Sequence, residues 1–184
     1  MAEPAAGDTL ASGHCDECGF DYMSVDRATV PGALRDLAPA YRRRLRAAAP
    51  DRLRLRPRPA TWSALEYACH YRDVLRTQRA RIPAALAEDR PVFEPMRRDE
   101  RVTEDRYNAQ DPGRVGRELA AATDELATYL SGLDDRAWSR TGIYLWPVRA
   151  ERSVAWIGRH TVHEGVHHLL DVDRSLAEAQ PGGR

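Results

Sequence analysis

From Pro31 onward one pattern recurs in four separate stretches: apolar residues at three- and four-residue intervals, each stretch bounded by residues that start or stop a helix. The first stretch carries Leu34, Leu37, Ala38, Tyr41, Leu45 and Ala48 and should stop at Pro50, which cannot continue a helix without losing a backbone bond. The second opens with Ser63 and Glu66 in S-x-x-E spacing, a reciprocal cap of two free backbone N–H groups, and Trp62 is placed to staple onto Tyr67. It should run to about Ala87 with a bend near Pro83. In the third, Asp111 is the cap and Pro112 the first helical residue; Val115, Leu119, Ala122, Leu126, Tyr129 and Leu130 form the buried stripe, and Gly132 ends it. The fourth, capped by Ser153, carries Val154, Ile157, Thr161, Leu169 and Leu176 and stops before PGGR. Four long helices and no confident strand predict an all-α four-helix bundle over residues 29–180.

Residues 1–28 should form a separate N-terminal part, a flexible tail to residue 13 followed by a short irregular segment, HCDECGFDY, with a C-x-x-C pair. The segment DRLRLRPRPAT, rich in proline, reads as a connection. So does the charged stretch from Asp89 to Gln110, which is long for a compact domain and therefore a candidate binding loop. In it Tyr107 and Asn108 either face a ligand or, for Tyr107, pack on the core. A further connector, DDRAWSRTGIYLWPVRAER, leads into the last helix.

Composition narrows the function classes. The 28 basic residues balance 28 acidic ones, so no general attraction to nucleic acid follows. No run of about 18 apolar residues is present, so no membrane span is expected. The N-terminus lacks a basic start followed by an apolar core, and three cysteines (Cys15, Cys18, Cys69) make an odd number; both suit a cytoplasmic protein with reduced thiols or metal ligands. All 28 basic residues are Arg, which together with abundant Ala and Pro points to a GC-rich genome. The run Arg42, Arg43, Arg44 and Arg46 reads as a solvated helix face.

Four of the six histidines stand in HTVHEGVHHLL, His160 to Leu170. Residues four apart on a helix differ by about 40° in azimuth and lie about one turn apart, so two side chains at that spacing can reach one metal ion. His163 and His167 form such a pair, and Glu164 and His168 form another; spacing alone does not choose between the two registers. A third ligand must come from elsewhere, and His70, on the second helix, is the favoured partner of His163 and His167. His163, Glu164 and His167 also match H-E-x-x-H, in which the Glu polarises a metal-bound water, so a small hydrolase using Glu164 is a second reading. The C-x-x-C pair would need two more ligands to hold a structural metal; His14 and Cys69 are the spare candidates.

The stretches TWSALEYACHYRDV (Thr61 to Val74), DRYNAQDP (Asp105 to Pro112) and VHEGVHHLLDV (Val162 to Val172) together resemble the DinB-like (YfiT-like) four-helix-bundle proteins, which include mycothiol-dependent relatives. The resemblance implies a divalent metal, zinc or nickel, held by His70, His163 and His167, with Asp171 as acceptor for a ligand N–H and Glu164 and Tyr107 as further site residues. It also implies a small-molecule substrate and activation of a low-molecular-weight thiol; mycothiol, the usual thiol of GC-rich actinobacteria, would then be a cosubstrate of a transferase or isomerase. A metal-containing binding module without turnover is the alternative from another class. Bundles of this kind can pair as homodimers through a helix face, and no stripe here singles one out.

Overall fold

The computed structural model describes residues 13–145 and 148–179. Most of the expected tail therefore falls outside the described residues. The elements are α1 (Val30–Ala47), α2 (Pro50–Arg54), α3 (Ala64–Ala87), β1 (Val92–Phe93), α4 (Arg98–Glu104), a 3-10 turn (Tyr107–Ala109), α5 (Pro112–Ser131), α6 (Asp135–Ser139), β2 (Thr141–Tyr144), β3 (Ala150–Ser153) and α7 (Val154–Glu178). The four long helices α1, α3, α5 and α7 form the bundle. Around it α1 packs on α5, α5 on α3, α3 on α7 and α7 on α1, so α1 and α3, successive in the bundle, sit diagonally.

The caps do what the sequence spacing requires. Ser63 Oγ accepts from the Glu66 N–H, the Glu66 carboxylate accepts from the Ser63 N–H, and Trp62 packs on Tyr67 with ring centroids 5.4 Å apart. Ser63 Oγ also donates to Asn108 Oδ1 at 2.6 Å, which ties the start of α3 to the 3-10 turn. Replacing Ser63 with Ala should therefore cost about 1–2 kcal/mol, read as a lower urea midpoint at unchanged slope. Asp111 and Ser153 likewise cap α5 and α7.

Three connections hold more structure than their sequence announces. Pro50 does not merely end α1; it starts the short helix α2 at a position where its missing N–H is harmless. The stretch from 89 to 110 supplies β1, α4 and the 3-10 turn, and the last connector supplies α6 and a β2–β3 hairpin. β2 pairs antiparallel with β3 and parallel with β1, making a small sheet where no strand is expected. These strands are two to four residues long, too short for any periodicity to register. No described helix is long and apolar enough to cross a membrane.

Residues 14–25 do not hang free of the bundle. Tyr22 Oη lies 2.8 Å from His160 Nδ1 and 3.0 Å from His163 Nδ1, Phe20 packs on the His163 ring, and Arg159 Nε donates to Val25 O at 2.7 Å. The N-terminal segment is thereby laid along one flank of α7.

Candidate metal centre

His70 sits on the second turn of α3, buried, with its ring edge-on to His168 of α7 at a centroid distance of 4.8 Å. The potential ligand atoms of His70, Glu164 and His168 all lie within 4.8 Å of one another. His168 Nε2 is 3.4 Å from Glu164 Oε2, and on its other side Nδ1 donates to Asp171 Oδ2 at 2.9 Å. Trp62 and Tyr67 close round the two rings: Trp62 stands 5.2 Å from His70 and Tyr67 5.6 Å from His168. A narrow pocket lined by Ala60, Trp62, Tyr67, Arg98 and Asp99 leads to His168.

The structure does not bring the expected ligand set, His70, His163 and His167, together. Among the described residues no group joins His70 with His163 or His167; those two histidines gather instead with Cys15 and Cys18. The reason is helical geometry. The face that α7 turns to the bundle carries the buried Ile157, Thr161, His168, Val172 and Ser175, and the half-buried Glu164 falls on the same stripe by spacing. His163 and His167 are each one residue earlier, about 100° away. On that flank they meet the N-terminal segment, and Cys15 Sγ is 3.6 Å from His167 Nδ1. His14 and Cys69 do not join the C-x-x-C pair: His14 Nε2 lies 3.5 Å from Asp16, and Cys69 is buried on α3, its thiol 3.9 Å from Tyr107 O.

The electrostatics single out the Glu164–His168–Asp171 line. Burial works against charge on Glu164, but the imidazoles of His160, His168 and His163 hold its carboxyl well below the usual carboxylate range. Burial also disfavours a proton on His168, yet bonds to Asp171 and Glu164 outweigh it and raise the ring to about 9. His70 goes the other way: burial, reinforced by the charge on His168, lowers it to about 3. Its Nδ1 is buried and has no hydrogen-bond partner. A positive charge is thus already favoured between the two carboxylates, next to a neutral ring nitrogen with nothing to bind. Two imidazoles and one carboxylate, with a further carboxylate behind one ring, are a donor set that suits a divalent cation.

Tyr107 does not join this site. It is fully buried and donates from Oη to Asp73 Oδ2 at 2.7 Å. Asp73 is paired with Arg72 at 2.9 Å; burial would raise its carboxyl, and the bonds from Arg72 and Tyr107 bring it below the ordinary value. Asn108 is used up locally, accepting from Ser63 and donating to Arg54 O at 3.0 Å. The Tyr-Asn pair is a brace between α3 and the long connection, which is the packing alternative for Tyr107. Asp171 accepts from the His168 ring, while His167 Nε2 is 3.8 Å away.

Comparison with known proteins agrees with this architecture. The solved structure of YfiT from Bacillus subtilis, described as a probable metal-dependent hydrolase with an unusual four-helix bundle topology, is similar with a TM-score of 0.70 at 14% identity. The match covers 82% of this chain and 87% of that one, and at such identity it establishes the fold alone. Among curated proteins none matches. The profile of the DinB superfamily matches residues 33–172, from the start of α1 to beyond Asp171, and on that extent the chain belongs to the DinB superfamily.

Proposed function

We propose that this protein is a metal-dependent enzyme in which His70, Glu164 and His168 hold one divalent cation, zinc or nickel, for attack of water or a low-molecular-weight thiol such as mycothiol on a small electrophile. The observation that carries the reading is the buried, unpartnered Nδ1 of His70 beside the carboxylate-backed ring of His168. A buried polar atom left unsatisfied costs roughly 1–3 kcal/mol, and a shared cation would remove that cost. When bound, such an ion lowers the pKa of a coordinated water or thiol and so supplies a nucleophile near neutral pH.

The chain's own residues would prepare the site. Asp171 fixes the His168 ring so that Nδ1–H points away and Nε2 points inward. Glu164 contributes one negative charge, so the loaded set would keep a single net positive charge and still favour an anionic fourth ligand. Trp62 and Tyr67 shield the rings from bulk water, while Arg98 and Asp99 form a charged rim at the pocket mouth. In this reading Glu164 is a ligand and is not available as a free base beside His163 and His167, which removes the support for a hydrolase that uses Glu164 as its base.

Purified protein should contain a cation with only nitrogen and oxygen neighbours by X-ray absorption, and should consume mycothiol or cleave model esters only when loaded. Asp171→Asn should weaken that cation by about 10–100-fold. If titration with zinc and nickel yields no nitrogen- and oxygen-bound ion, the site is refuted. A loaded protein inert to both thiol and hydrolysis assays would favour the binding module without turnover.

A further inference from the structure

The geometry points to a second, structural metal site: Cys15, Cys18, His163 and His167 together bind a zinc ion that fastens the N-terminal segment to α7. Their potential ligand atoms all lie within 4.8 Å of one another, although the two halves are about 145 residues apart in the chain. The separation of Cys15 Sγ and His167 Nδ1, 3.6 Å, matches the edge of about 3.5 Å expected between sulfur and nitrogen on one tetrahedral zinc.

The backbone before the first helix is shaped for this. Cys15 N–H donates to Phe20 O at 2.8 Å and Gly19 N–H to Cys15 O at 2.7 Å, folding C-x-x-C-G into a tight loop that brings both sulfurs to one side. Gly19 has φ +73°, the left-handed conformation in which other residues are strained.

Each histidine is oriented by a neighbour that leaves one nitrogen for the metal. Tyr22 Oη stands between two rings, so a consistent chain of donors runs from His163 Nδ1–H to Tyr22 Oη and from the Tyr22 O–H to His160 Nδ1. That arrangement frees the His163 Nε2 lone pair, and this atom is buried with no hydrogen-bond partner. On His167 the Nε2 side faces Glu17 at 3.6 Å and Asp171 at 3.8 Å, which turns Nδ1 towards the sulfurs. Backing of ligand imidazoles by carboxylate or hydroxyl is the usual companion of a metal site.

Two thiolates and two neutral imidazoles cancel the charge of a divalent ion. Each thiol gives up its proton as its sulfur–metal bond forms, so two protons leave for every ion bound. Soft sulfur with imidazole in a tetrahedral set selects zinc over magnesium or calcium, and four protein ligands leave no position for a substrate. The site is therefore a clasp, made of residues distinct from the catalytic set proposed above. Asp171 stands between the two, on His168 at 2.9 Å and near His167.

The test uses the full chain. The zinc-loaded protein should hold two ions, one of them with two sulfur neighbours by X-ray absorption, and cobalt(II) should give a thiolate charge-transfer band in the near ultraviolet. Cys15 and Cys18 should resist alkylation in the zinc form and react after chelation, as read by mass spectrometry. A Cys15→Ser, Cys18→Ser double variant should lose one equivalent of zinc and the band while retaining the ion with nitrogen and oxygen neighbours. Should that variant fail to fold, the protection experiment on the unaltered chain decides. No charge-transfer band together with zinc-independent alkylation, or a Cys15–Cys18 disulfide in the protein purified under reducing conditions, overturns the clasp. Loss of the nitrogen- and oxygen-bound ion alone would instead count against the proposed catalytic set.

Discussion

His168→Ala should weaken the cation with nitrogen and oxygen neighbours by more than about 100-fold, whereas His163→Ala should leave that ion in place. Removal of a residue behind a ligand typically costs 10–100-fold in affinity, and removal of the ligand itself should exceed that. His168 is also the ring on which the neighbouring acidic residues converge, 3.4 Å from Glu164 and 2.9 Å from Asp171. Its loss leaves those two half-buried carboxylates facing one another without the cation or the imidazolium that now separates them. His163 points to the sulfur side, and its Nδ1 stands 3.8 Å from Glu164 Oε1. Calorimetric titration of zinc into both variants measures the difference. Equal losses in the two would mean that the registers are mixed and that the assignment of His168 is wrong.

The largest stability effect is expected at Gly165. On helix propensity alone Gly165→Ala should stabilise α7 by about 1 kcal/mol. The packing reverses the sign: an added Cβ would lie 2.4 Å from Tyr71 Oη and 2.5 Å from Leu37 Cδ1. Tyr71 cannot swing aside, because it is fully buried and stacked on Tyr41 at 4.9 Å, and Tyr41 in turn donates to the Gly165 carbonyl at 2.9 Å. The net cost should be about 3 kcal/mol, at the upper end of overpacking penalties. Tyr71→Phe gives the internal control. The Tyr71 hydroxyl is buried without a partner, so its removal should be neutral or slightly stabilising and should recover part of the loss in the double variant. Urea unfolding of the four proteins in the cycle checks this; a stabilised Gly165→Ala would show that α7 and α3 are less closely packed than these distances require.

Gly165 also illustrates what kind of information a sequence carries. Met along the chain, a glycine inside a helix counts against the helix; only the approach of α3 and α1 explains it. The bundle helices themselves were legible, since caps such as Ser63 and Asp111 and stripes such as Leu119, Ala122 and Leu126 are local properties of a few consecutive residues. The β2–β3 hairpin and α6 were not, because elements of four or five residues take their shape from what they pack on.

The candidate site divides in the same way. Histidines at four-residue spacing announce that α7 offers pairs of ligands to something, and the alternatives His163 with His167 and Glu164 with His168 are both visible in HEGVHH. Projecting Ile157, Thr161 and Val172 onto the helix would have favoured the second pair for the bundle interior, since Glu164 and His168 extend that stripe. The C-x-x-C and H-x-x-x-H spacings were present too, but a local zinc motif expects them about 12–15 residues apart. What the chain determined alone was the helices, their caps and the residue types able to bind a cation. What tertiary structure decided was which side of α7 faces α3 and which faces the N-terminal segment. A shift of one residue turns a helix by about 100°, so the identity of a partner depends on the packing of whole helices, which no short stretch encodes.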